Sequence, residues 1–175
     1  MITASSTLPD VAFAVCTALD RPGITAVLTG GSAATFYAPD AYQSRDLDFV
    51  VTVWAAGGEV ALAGAGFRRE ADYYVHPSSP YPIDFPKGPL MIGDDHVRRW
   101  LTVRRDDQVL HVLTPTDWCR DRLAALLVWN DFSGLEQALA VCNARDDVDL
   151  EVVRDWCRRM REPRKWDLFA SRLGR

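Results

Sequence analysis

The sequence predicts an α+β fold, a mixed β-sheet with helices against it and a helical C-terminal third. Three observations carry this. Short β-branched, apolar runs alternate with helical segments up to about residue 114. Paired strand candidates then flank turn residues as a hairpin would, and from Thr116 onward the apolar spacing is helical throughout.

Taken in order, residues 8–20 (LPDVAFAVCTALD) place Val11, Val15, Ala18 and Leu19 on one stripe, so a helix is expected, stopped by Arg21-Pro22-Gly23. Residues 24–29 (ITAVLT) read as a short buried strand. Gly30-Gly31-Ser32 turns into a short helix, AATFYA, ending near Pro39-Asp40. The next strand is 46–54 (DLDFVVTVW). Gly57-Gly58 opens a helix that runs through Ala65, and Gly66 closes it. Residues 67–75 and 81–86 are expected as two strands joined by HPSSP. Strands 100–105 and 108–114 flank Asp106-Asp107, and helices are expected over 116–130, 133–144 and 149–161. No internal repeat is visible.

The 175 residues are 48% hydrophobic and 25% charged, ordinary values for a globular chain, which excludes low-complexity and collagen-like classes. No apolar run nears the ~20 residues a bilayer span needs, and MITASSTLPD lacks the pattern of a secretory leader, so a soluble cytoplasmic protein is expected. Cys16, Cys119, Cys142 and Cys157 form no CxxC pair, and His76, His96 and His111 are isolated; this spacing is that of neither a zinc site nor a disulfide framework. Net charge is −4, unevenly spread. Residues 1–149 carry −8 and residues 150–175 carry +4, so the tail reads either as a solvated helix face or as a surface that touches phosphates.

The chemistry concentrates in residues 28–49. A strand, a glycine pair and a hydroxyl residue at a helix start would let backbone amides approach a phosphate, with Ser32 adding a hydroxyl. The same residues equally make a tight turn and a helix N-cap. Within Ser44-Arg45-Asp46-Leu47-Asp48-Phe49, strand alternation sets Asp46 and Asp48 on one face. A second DxD at Asp147/Asp149 shows that the bare pattern carries little, because the chain has 19 Asp. Two acids entering the apolar run FVVTVW, however, require a cation to offset their desolvation. A third acid would complete a site for two hard divalent ions, and Asp84 in Tyr81-Pro82-Ile83-Asp84-Phe85-Pro86 is the candidate, with Asp94 and Asp95 behind it.

The run GGSAATFY…SRDLDFVV followed by Ile-Asp84-Phe resembles the nucleotidyltransferase superfamily that shares the DNA polymerase β-type fold. Within it, the run is most similar to small bacterial nucleotidyltransferases that include toxins of toxin–antitoxin and abortive-infection systems. The resemblance covers roughly residues 24–86, and more weakly Thr114–Val141. It implies a nucleotidyltransferase-like core over 1–114 and a helical region over 115–175 packed on it. It also implies transfer of an NMP from an NTP to an acceptor hydroxyl on RNA, protein or a small molecule. Asp46, Asp48 and Asp84 would hold Mg²⁺ or Mn²⁺, Gly30, Gly31 and Ser32 would grip the triphosphate, and an antitoxin would be a partner. Arg122 stands where relatives frequently carry Lys, and it reads either as a triphosphate ligand or as one half of an ion pair with Asp117 or Asp121. Tyr42 stands where relatives often carry Arg. Two other readings of the same acids are a catalytically silent nucleotide-binding module and a metal-dependent nuclease, for which the GGS turn has no role. Trp118, Trp129, Trp156 and Trp166 are expected in packing, and His76 in a loop.

Overall fold

The computed structural model describes residues 2–174, and for Trp129 the backbone alone. It is α+β, with a seven-stranded mixed sheet and flanking helices. Helix α1 (Leu8–Asp20) begins with a capping box, the Thr7 side chain accepting from the Asp10 amide while Asp10 accepts from the Thr7 amide. Its apolar face packs on β1 (Thr25–Leu28) and β9 (Gln108–Val112), burying Leu8, Val11, Phe13, Val15 and Leu19. Thr17 ties it to the sheet, its hydroxyl donating to the Val109 carbonyl and accepting from the Val109 amide.

The sheet order is β3-β4-β5-β2-β1-β9-β8. Strand β2 (Leu47–Val53) lies between β1, with which it is antiparallel, and β5 (Ile83–Asp84), with which it is parallel. Beyond β5 a hairpin of β3 (Arg68–Glu70) and β4 (Tyr73–Val75) continues one edge, and β8 (Leu101–Arg105) closes the other, antiparallel to β9. Where one strand is expected over 67–75 the chain turns back at Ala71, whose φ is +52°, so two short strands form. Of 81–86 only two residues pair, since the flanking Pro82 and Pro86 have no amide to give a ladder.

Helix α2 (Gly30–Tyr37) follows β1 without a separate turn, the glycines forming its first positions. Helix α3 (Gly58–Gly64) packs on α1. A small separate hairpin, β6 (Met91–Ile92) and β7 (Asp95–His96), precedes β8. The helical part comprises α4 (Pro115–Trp129), α5 (Phe132–Ala144), α6 (Leu150–Arg159) and α7 (Pro163–Arg172), and α4 and α5 pack on α2. Arg161, at φ +59°, breaks the chain between α6 and α7. One continuous apolar cluster runs from α1 through Leu47, Phe49 and Ile83 of the sheet to Trp118, Leu135 and Phe169. The four cysteines are buried and none forms a disulfide among the described residues, with Cys119 and Cys142 in contact at 3.3 Å between sulfurs. Among the described residues no helix is long and apolar enough to cross a membrane.

Much of the basic tail is engaged with the protein itself. Arg154 and Arg158 pair with acids of their own helix, Arg159 pairs with Asp95, and Arg172 pairs with Glu136. Lys165 donates to the last-turn carbonyls of Leu126 and Leu127 at the C-terminal end of α4.

Candidate active site

The site is built where β1 hands over to α2 beside the start of β2. Asp48 is fastened there through its own backbone. Its carbonyl accepts from the Thr29 amide at 2.9 Å, and its amide donates at 3.1 Å to the Ser32 hydroxyl, which in turn donates to the Thr29 carbonyl at 2.8 Å. Ser32 is fully buried. Its hydroxyl is the bolt between turn and strand in this conformation, with its one proton used inside the protein.

The glycine pair is explained by the same closeness. Gly30 has φ +58°, and a Cβ there would sit 2.3 Å from Asp48 Oδ2. At Gly31 a Cβ would meet Ser44 Oγ and Tyr42 Oη, each at 3.1 Å. Behind the turn, Trp118 donates its indole N–H to the Gly30 carbonyl at 2.9 Å, which anchors α4 to the site.

Strand alternation along β2 buries Leu47 and Phe49 completely and leaves Asp48 half-buried on the opposite face. Asp46 lies one residue before the strand, not inside it, and accepts from Ser44 Oγ at 2.9 Å. Parallel pairing sets Asp48 opposite Asp84 on β5, so the two acids are cross-strand neighbours on one face. Burial pushes the Asp48 carboxyl up to about 6, with Asp46 and then Asp84 adding to the rise and Arg122 opposing it. The structure thus brings Asp46, Asp84 and Arg122 within the field of Asp48.

Of the two readings of Arg122, the ion pair with Asp121 is present. Its guanidinium is held by Asp121 through Nε at 3.0 Å and Nη2 at 2.6 Å, and Nη1 reaches Gln137 at 3.5 Å. Gln137 donates to Tyr42 Oη at 3.2 Å. A chain Asp121–Arg122–Gln137–Tyr42 therefore walls the site on the side of α4 and α5. Asp121 is one of the two partners expected for Arg122 from the sequence, whereas Gln137 is not, because nothing local marks a contact such as Gln137 to Tyr42, 95 positions apart. Of the reserve acids, Asp95 is neutralised by Arg120 and Arg159, while Asp94 shares a groove with Asp121 and Arg122. His76 accepts from the Ser78 amide in its own loop and lies edge-on to Phe67. Trp118 and Trp156 are core residues and Trp166 packs on Phe169, while the Trp129 side chain lies outside the described residues.

The donor set is that of a hard cation, namely carboxylates whose mutual repulsion a positive ion would relieve. Among the described residues, no three His, Cys, Asp or Glu are already gathered closely enough to hold one. Asp46, Asp48 and Asp84 are the residues that would hold it. Compared with known proteins, the chain matches no family model, no curated protein and no solved structure.

Proposed function

We propose that this chain is a metal-dependent nucleotidyltransferase moving an NMP from an NTP to an acceptor hydroxyl. The observation that carries the reading is the acid pair Asp48 and Asp84, in register on parallel strands, beside Asp46 and hard against a Gly-Gly helix start. Like charges brought together on a half-buried face cost free energy, seen in the raised Asp48 carboxyl, and a bound cation would offset that cost. Mg²⁺ or Mn²⁺ held by Asp46, Asp48 and Asp84 would neutralise the triphosphate and lower the acceptor hydroxyl's pKa.

The chain's own residues do the positioning. The Gly31 amide belongs to the helix first turn, where N–H groups lack intrahelical partners and favour an anion. Arg122, clamped by Asp121 and Gln137, presents a cation to the same space. Ser32 acts indirectly, by fixing Asp48 to the turn. The acceptor oxygen forms a bond to the α-phosphorus, the bond from that phosphorus to the bridging oxygen breaks, and pyrophosphate leaves with the electron pair. The hydroxyl proton goes to a carboxylate or to water. An antitoxin partner belongs to this reading too.

A second reading, a nucleotide-binding module without turnover, is favoured by the absence of a ready three-acid cluster among the described residues. Label transfer from each α-³²P-NTP with Mg²⁺ or Mn²⁺, in the presence of cellular RNA and protein, separates the two. A labelled band is expected with the native chain and none with Asp46→Ala. That variant keeps its fold because removing Asp46 relieves repulsion on Asp48. Equal labelling by the variant sinks the assignment, and Mg-NTP binding without any label favours the module.

A further inference from the structure

Strand β2 carries the acids at its start and ends at Val53, followed by Trp54, whose side chain is 77% exposed, the most exposed aromatic among the described residues. Beside it opens a groove of about 450 Å³ whose walls include Thr52, Trp54, Pro89, Leu90, His96 and Arg98. The volume suits a nucleotide-sized group. Arg98 is exposed, and among the described residues no carboxylate lies within 4.0 Å of its guanidinium. The same holds for Lys87, next to the groove, and for Arg99. Asp95, the acid beside His96, is occupied by Arg120 and Arg159. An unpaired guanidinium therefore lines the same groove as an exposed indole, whereas much of the basic tail is tied up in ion pairs.

We propose that this groove binds single-stranded nucleic acid, a base stacking on Trp54 against the Pro89–Leu90 wall and a phosphate meeting Arg98. The proposal rests on the nucleotidyltransferase reading in one respect only, that it makes the strand the acceptor. Thr52 lies four residues along β2 from Asp48, about 13 Å at the usual rise, so a polymer whose hydroxyl end sits at the acids can run along the strand into the groove. An extended peptide would have to use the edge of β2 beyond Asp48, which β5 leaves open, and would engage backbone groups rather than the indole and guanidinium that line the groove. A flat exposed ring beside an unpaired guanidinium is instead the combination that sequence-tolerant strand binding uses.

The test is fluorescence anisotropy with the full chain, without NTP, on a labelled 12-nucleotide RNA, the DNA of the same sequence, and a duplex control. Single strands are expected to bind more tightly than the duplex. Trp54→Ala should weaken binding roughly 5- to 150-fold, the range for loss of one stacked base, and Trp54→Phe should restore most of it. Arg98→Gln should flatten the salt dependence by about 0.7 in the log–log slope. RNA bound in preference to DNA assigns the strand as RNA, and equal binding assigns either. Trp54→Ala leaves an exposed position, so its melting temperature should be unchanged. Absence of single-strand binding, equal binding of the duplex, or an unaffected Trp54→Ala overturns the proposal. A labelled protein band without oligonucleotide binding overturns it while leaving nucleotidyl transfer standing. Strand binding without any label does the reverse.

Discussion

Replacing Asp48 by Asn should stabilise this protein at neutral pH, and the size of the gain follows from the site. Burial, Asp46 and Asp84 raise the Asp48 carboxyl from its ordinary 3.8 to about 6, against the pull of Arg122. Each tenfold displacement of an ionisation amounts to ~1.4 kcal/mol. Holding Asp48 ionised in the folded chain therefore costs about 3 kcal/mol at most, and about 2 once water at its open side is allowed for. The sign is fixed by proton counting. Between about pH 4 and 6 the folded state holds a proton at Asp48 that the unfolded state has released, so stability falls as pH rises through that window. Above it the full penalty is present. Asp48→Asn is isosteric and uncharged, so its advantage over the native chain should be small at pH 4, open between pH 4 and 6, and stay level beyond. In a chain of this length 2–3 kcal/mol corresponds to roughly 4–12 °C in melting temperature. Melts of both proteins from pH 4 to 8, in metal-free buffer, measure it. Millimolar Mg²⁺ at pH 7.5 should raise the native melting temperature and narrow the gap, since a cation supplies the compensation that Asn makes unnecessary. No gain at pH 7.5, or a gain that does not depend on pH, refutes the reasoning.

Two further perturbations probe the same corner. Gly30→Ala forces a side chain into φ +58° and into Asp48 Oδ2, so a loss of about 1–2 kcal/mol from the backbone alone is expected by urea denaturation, with label transfer falling further because the acid must move. Ser32→Ala leaves the buried Asp48 amide without its acceptor and should cost about 1–3 kcal/mol, read as a lower urea midpoint at unchanged m-value.

How much of this was legible beforehand depended on the length of the pattern. Helix α1, strands β1, β2, β8 and β9 and helices α4 to α6 announce themselves through several periods of apolar spacing. The hairpin β6–β7 has two-residue strands, too short for any alternation to register, and α7 is marked by little besides its initial proline in a stretch dominated by charge. Asp46, Asp48 and Asp84 stood out as acids entering apolar runs. What makes Asp48 and Asp84 neighbours is a parallel register between strands 36 positions apart, and only the assembled sheet supplies it. Arg122 drew notice through its position, with Asp121 as an expected partner, but its contact with Gln137 depends on how α4 and α5 pack.

The glycine pair shows where residue-type reasoning and structure part. A Gly-Gly before a helix is naturally read as room left for a ligand. Here the space a Cβ would take at Gly30 is filled by Asp48 Oδ2, and at Gly31 by the hydroxyls of Ser44 and Tyr42. The glycines thus let the acid-bearing strand close on the helix start, and Ser32 then bolts the two together. Any anion held by the first-turn amides of α2 would be held within reach of Asp48, because the backbone bonds of Asp48 leave it nowhere else to go. Turn and acids form one unit, so a substitution that loosens the turn has to disturb the carboxylates as well. This is why Gly30→Ala should impair transfer more than its loss of stability accounts for.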